Sequence, residues 1–191
     1  MNELLKIFLS SMLIDNVVLM QFLALCPFIG MSTDVKKSVG MGSAVTFVMV
    51  LAVAVTYPLY HFVMIPLNLE FLQTLFFILV IAALVQLVEF YLKKSLPALY
   101  SSMGVYLALI TTNCAILGVT LKMITNDYNF IESIVYALGS ALGFLLALLL
   151  LAGIRERIES SPIPKFLKGT PILFVSAALI AMAMSGFKGL I

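Results

Sequence analysis

Charge is what this chain has least of. Asp, Glu, Lys and Arg together make up 10% of its residues, where about a quarter is usual for a soluble domain. So little charge cannot cover a water-facing surface. The chain is also 63% hydrophobic, with a mean hydropathy of +1.17. Lipid is therefore the solvent for most of it. Basic clusters interleaved with aromatics are missing, which excludes the usual footprint of nucleic-acid binding. Cysteine is limited to Cys26 and Cys114, and histidine to His61. Two thiols without regular spacing build no disulfide framework. With one distant histidine they also fall short of the four ligands that zinc usually takes. His61 lies near the end of an apolar run and reads as an interfacial residue. The start, Met1-Asn2-Glu3-Leu4-Leu5-Lys6, has no basic n-region followed by a small-residue cleavage site, so the first apolar run reads as a retained span. There is no Gly-rich phosphate loop, catalytic triad or haem-attachment motif.

What is present is a series of long apolar runs. Crossing about 30 Å of hydrocarbon takes roughly 20 residues of helix. Six runs qualify, at about 4–28, 39–65 (closed by Pro66), 71–92, 99–119, 130–154 and 171–189. The connections are short except for 155–170, where Ser160-Ser161-Pro162-Ile163-Pro164 carries turn chemistry. No room is left for a soluble domain, so 1–191 reads as a single transmembrane domain. Lys and Arg divide unevenly between its two sides. The odd-numbered loops hold Lys36, Lys37, Lys93, Lys94, Arg155, Arg157, Lys165 and Lys168, whereas the termini and even loops hold Lys6, Lys122 and Lys188. The positive side is cytoplasmic, which places the odd loops in the cytoplasm and both termini outside.

The chain also echoes itself. Ala24-Leu25-Cys26-Pro27-Phe28-Ile29-Gly30 and Thr111-Thr112-Asn113-Cys114-Ala115-Ile116-Leu117-Gly118 both read Cys, two residues, Ile or Leu, Gly. A second echo pairs Gly42-Ser43-Ala44-Val45-Thr46-Phe47 with Gly139-Ser140-Ala141-Leu142-Gly143-Phe144. Splitting near Leu96-Pro97 gives a first repeat of about 1–95 and a second of about 96–191. Each holds three spans, with its cysteine in the first. Three is odd, so the second repeat enters the membrane from the opposite side, as inverted repeats do. The expected fold is an all-α polytopic membrane protein with six transmembrane helices in two inverted three-helix repeats.

Unbroken first and fourth helices, rising about 1.5 Å per residue, would leave the two thiols most of a membrane apart. Discontinuous helices 1 and 4 would bring them together near the midplane. Pro27 and Gly30 are candidate breakers of the first, and Thr111, Thr112, Asn113 and Gly118 of the fourth.

Cys26 and Cys114 then read in one of two ways: as packed, inert thiols or as ligands. An iron–sulfur cluster takes four thiolates as a rule, so a cluster held here must be shared with a partner chain. Asp15 and Asn16 lie inside the first span, where polar residues are costly and mark function. They either line an ion path together with Asn113 or support a broken helix. Glu89, near Gln86, faces Lys93 as an i,i+4 pair. Glu132 suits the N-terminus of a helix. On residues alone, an electron-carrying subunit competes with an inverted-repeat secondary transporter whose cavity is lined by Asp15, Asn16 and Asn113, and with a structural scaffold.

The two Cys motifs, together with Ala152-Gly153-Ile154-Arg155-Glu156-Arg157, resemble the membrane subunits of the Rnf electron-transport family over essentially the whole chain. Pro27, Gly30 and Thr112 look more like the family's A-type branch than like the homologous E-type component of the sodium-pumping NADH:quinone reductase. The resemblance implies an integral subunit of an ion-translocating (Na+ or H+) ferredoxin:NAD+ oxidoreductase complex in the bacterial inner membrane, not catalytic alone. It further implies a 2Fe–2S cluster inside the membrane, ligated by Cys26 and Cys114 and by two cysteines of a homologous subunit of opposite topology (RnfE-like). Electrons would cross the membrane through that cluster.

Overall fold

The computed structural model describes residues 2–32, 35–67, 70–95, 109–110, 112–159, 162, 164 and 167–186. Every regular element among the described residues is helical. In chain order they are α1 (Asn2–Leu9), α2 (Leu25–Met31), α3 (Val35–Leu59), α4 (Gln73–Ser95), α5 (Cys114–Thr125), α6 (Phe130–Glu159) and α7 (Thr170–Ser185). Two of these helices change pitch at an end. α1 opens into a π-helical turn at Ser10–Ile14. α3 carries Pro58, and soon after it widens into a second π-helical stretch, Tyr60–Met64, before a last turn at Ile65–Leu67. Proline removes one backbone donor and crowds the preceding turn, which is a known cause of such local adjustment. The helix therefore runs through Pro66 instead of stopping before it.

Among the described residues, three segments are long and apolar enough to cross a membrane: Ser38–Met64, Gln73–Phe90 and Phe130–Ile158. They coincide with the second, third and fifth apolar runs of the sequence. α5 and α7 are apolar but shorter. The start of the fourth run (99–108), Thr111, the Leu96-Pro97 split, Lys165 and Lys188 lie outside the described residues.

α3 and α6 form the central pair and pack along each other more extensively than any other two elements. They carry the two Gly-Ser-Ala echoes. Met41, Val45 and Met49 of α3, with Ala141, Phe144 and Leu148 of α6, are fully buried. Gly42 has no side chain because Leu145 of α6 fills that space: a Cβ there would collide with its Cδ1. Close approach through small residues is how helices associate where lipid replaces the hydrophobic drive. A carboxylate caps the start of α6. The Glu132 carboxylate accepts a hydrogen bond from the Asn129 backbone N–H at 3.0 Å, which is the N-terminal role expected for that residue. By contrast, α4 turns Leu75, Leu79, Leu87 and Phe90 outward, an apolar exterior suited to a hydrocarbon solvent.

Candidate functional site

The first apolar run is not one helix. Its ladder widens where the Asp15 N–H bonds to the Ser10 carbonyl at 2.7 Å, and the chain then stays non-helical through Ala24. Irregular backbone at membrane depth survives only where its polar groups find partners inside the protein. Asn16, 0% exposed, supplies them. Its Nδ2 donates to the Gly143 carbonyl at 2.8 Å and to the Met12 carbonyl at 3.3 Å. Its Oδ1 accepts from the backbone N–H groups of Val18 at 3.1 Å and Leu19 at 3.3 Å. The segment is seated against α6 through Gly139 and Gly143, four residues apart. A Cβ on Gly143 would lie 2.7 Å from the Met12 carbonyl oxygen, and one on Gly139 would lie 2.8 Å from that of Phe8.

Phe22 (φ 55°) and Ala24 (φ 60°) close the loop in the left-handed region, which residues with a Cβ rarely adopt and which is held only where the surroundings enforce it. α2 starts immediately afterwards, with Cys26 as its second residue and Pro27 as its third. In a first turn the missing proline N–H has no partner to lose. Pro27 and Gly30 therefore lie within α2 and do not break the span. The break precedes the cysteine.

The fourth run breaks where expected, at Thr112-Asn113. The Asn113 Oδ1 caps α5 by accepting from the Ala115 N–H at 3.0 Å, and Cys114 is the first residue of the new helix. Gly118, however, lies inside α5 and interrupts nothing. It leaves room for Leu23, whose Cδ1 would be 2.5 Å from a Cβ at that position. Gly118 sits one turn from Cys114 on the same helix face, and Leu23 is three residues before Cys26. The loop that precedes one thiol thus touches the helix that begins with the other.

Both cysteines therefore occupy equivalent local positions, in the first turn of a helix that follows a break. Both are free and exposed. Among the described residues no three His, Cys, Asp or Glu side chains gather, so within these residues the chain does not complete a metal site. Two soft thiolates presented outward fit half of a four-thiolate centre. His61 is exposed and stands against Tyr57, with ring centroids 5.1 Å apart, and against Tyr60 at 6.1 Å.

Asp15, Asn16 and Asn113 stand in different surroundings among the described residues. Asp15 lines a cleft in which Lys122 lies 3.9 Å from its Oδ1, while Asn16 and Asn113 support the two breaks. One positioning residue is marked in the sequence only by its charge and its motif. Arg155, near the end of α6, donates through its guanidinium to the Ile29 carbonyl at 3.3 Å and to the Ser32 hydroxyl at 3.2 Å. This satisfies the C-terminal end of α2, the helix of Cys26. Arg155→Met takes a charged donor from these partly buried acceptors, and a loss of about 1.5–3 kcal/mol is expected, read as a lower unfolding midpoint in detergent.

The chain is similar in sequence to known proteins along nearly its whole length. The family described as "Rnf-Nqr subunit, membrane protein" matches residues 4–191. The chain is 56% identical over 187 residues to the A-type subunit of the Na(+)-translocating ferredoxin:NAD(+) oxidoreductase complex of Acetobacterium woodii, covering 98% of this chain and 97% of that protein. It is 51% identical to the A-type subunit of the ion-translocating oxidoreductase complex of Syntrophotalea carbinolica, over 100% of this chain and 99% of the relative. With the corresponding subunit from Methanosarcina acetivorans it shares 48% identity, over 100% and 96%.

Proposed function

Because the chain belongs to the Rnf-Nqr family of membrane subunits, we propose that it is the A-type component of an ion-translocating ferredoxin:NAD+ oxidoreductase complex, passing electrons across the bacterial inner membrane through a 2Fe–2S cluster inside the bilayer. Cys26 and Cys114 supply two of its thiolates. A homologous subunit of opposite topology supplies the other two. The chain crosses the membrane six times as two inverted repeats, with both termini on the outer side, and the ion moved is Na+ or H+.

One observation carries this reading. Two free, exposed thiols stand at matching positions just past two helix breaks, and Leu23, three residues before one, packs at Gly118, four residues after the other. When bound, such a cluster takes up and releases one electron at a time. The chain's own residues hold its share of the site. Asn16 fixes the loop before Cys26, Arg155 anchors the far end of α2, and Asn113 sets the start of α5.

Iron and acid-labile sulfide in the co-purified pair of subunits test this assignment. Wild type should carry both, whereas Cys26→Ser and Cys114→Ser should each lose most of the iron without loss of folding, because both side chains are exposed. Full iron in both variants would refute the ligand assignment.

A further inference from the structure

The loop before Cys26 turns one large side chain outward. Val17, Val18, Leu19 and Ala24 are almost fully buried, whereas Phe22 is 57% exposed. The backbone around it is tied down. The Phe22 N–H bonds to the Val18 carbonyl at 3.0 Å and the Leu23 N–H to the Val17 carbonyl at 3.2 Å, with Phe22 held at φ 55°. Glycine takes that conformation freely, and a residue with a Cβ does not. The chain thus carries backbone strain at a residue whose ring does little packing within it.

α2 continues this surface. Cys26 and Gly30 are four residues apart on that helix, so they share a face, and both are exposed. A Cβ on Gly30 would meet no atom within 4 Å, so packing among the described residues does not require glycine there. In sequence, the thiol has a protruding ring four residues before it and a notch four residues after it.

Neither solvent suits this surface uncovered. Water disfavours the ring. Hydrocarbon accepts the ring but offers no hydrogen-bond partner to the irregular backbone that carries it. A protein cover satisfies both. The thiol says which protein: a four-thiolate cluster that takes Cys26 and Cys114 from this chain takes its other two ligands from a second one.

We propose that Phe22 and Gly30 are the docking elements for the homologous subunit that shares the cluster. Phe22 fills an apolar pocket of that subunit, as buried aromatic anchors do at interfaces. Gly30 lets one of its helices approach Cys26 closely, as small residues do between membrane helices. The inference rests on the shared-cluster reading above and adds the residues that hold the partner in place.

The test measures three quantities in detergent: the dissociation constant of the two-subunit pair, the unfolding midpoint of this chain, and iron in the pair. Phe22→Gly removes the anchor and relieves the strain, so the midpoint should not fall while pair affinity drops at least tenfold. Phe22→Leu keeps an apolar plug and should lose about threefold. Gly30→Leu enters open space on this chain and is the better helix former, so the midpoint should again hold while pair affinity drops at least tenfold. Wild-type affinity in either Phe22→Gly or Gly30→Leu would overturn the proposal and leave the face to lipid. A midpoint that falls together with affinity would overturn it too, because the residue would then serve this chain's own fold. At concentrations above the weakened dissociation constants both variants should carry wild-type iron, since Cys26 and Cys114 are intact. A wild-type pair without iron would refute the cluster and not the docking, so the two failures give different results.

Discussion

Asn16→Leu will destabilise the protein by about 3–6 kcal/mol, enough to prevent recovery of an assembled complex. Leucine matches asparagine in size, so the change tests hydrogen bonding and not volume. It strips partners from the Val18 and Leu19 N–H groups and from the Gly143 and Met12 carbonyls. In water each would find a replacement. In a buried loop none is at hand, and each unsatisfied group costs about 1–3 kcal/mol. Asn16→Asp keeps the acceptor for Val18 and Leu19 but removes the donor to Gly143, and it should lie between wild type and leucine. Unfolding in detergent and yield of the intact complex are the readouts. A leucine variant with wild-type stability would show that the loop is held by other means.

The second large effect is expected at Gly143. Alanine gains about 1 kcal/mol of helix propensity over glycine. Its Cβ, however, would stand 2.7 Å from the Met12 carbonyl oxygen and 3.0 Å from the Asn16 Nδ2, both parts of the network that defines the break. Overpacking against backbone costs about 1–3 kcal/mol, so the clash wins and Gly143→Ala is modestly destabilising. Gly143→Val adds two methyl groups to the same crowded spot and should displace the α1 segment altogether, with loss of the complex. A valine variant that assembled normally would contradict the tight seat of α1 on α6.

These two positions also show where a sequence is legible and where it is not. The hydropathy runs locate α3, α4 and α6 to within a few residues, because length and apolar content alone decide whether a helix spans. The Thr112-Asn113 break is visible because Asn113 is a good N-cap residue in an apolar run. The break in the first span comes earlier than its local signals suggest. Pro27 and Gly30 are the obvious breakers, yet a proline in a first turn does no harm. The true break passes through Phe22 and Ala24, which carry no turn signal. It is imposed by Asn16, which reaches a carbonyl 127 residues away, and no local pattern contains that contact. Asp15-Asn16 does stand out as a polar pair inside an apolar run, but the local pattern does not tell the partner of each residue. Asp15 belongs with Lys122, and each asparagine belongs with its own break. Gly118 has the composition of a breaker and is a packing site for Leu23. Arg155 bears on topology and forms part of a motif, and it also bonds to the end of α2.

The most direct test of the shared-cluster account is an electron paramagnetic resonance spectrum of the chemically reduced pair of subunits, recorded for wild type and for both serine variants. The account predicts the signal of a single reduced 2Fe–2S centre in wild type, absent when either Cys26 or Cys114 is serine. A pair with no iron signal and with both thiols open to alkylation, or a full signal surviving in both variants, would contradict it.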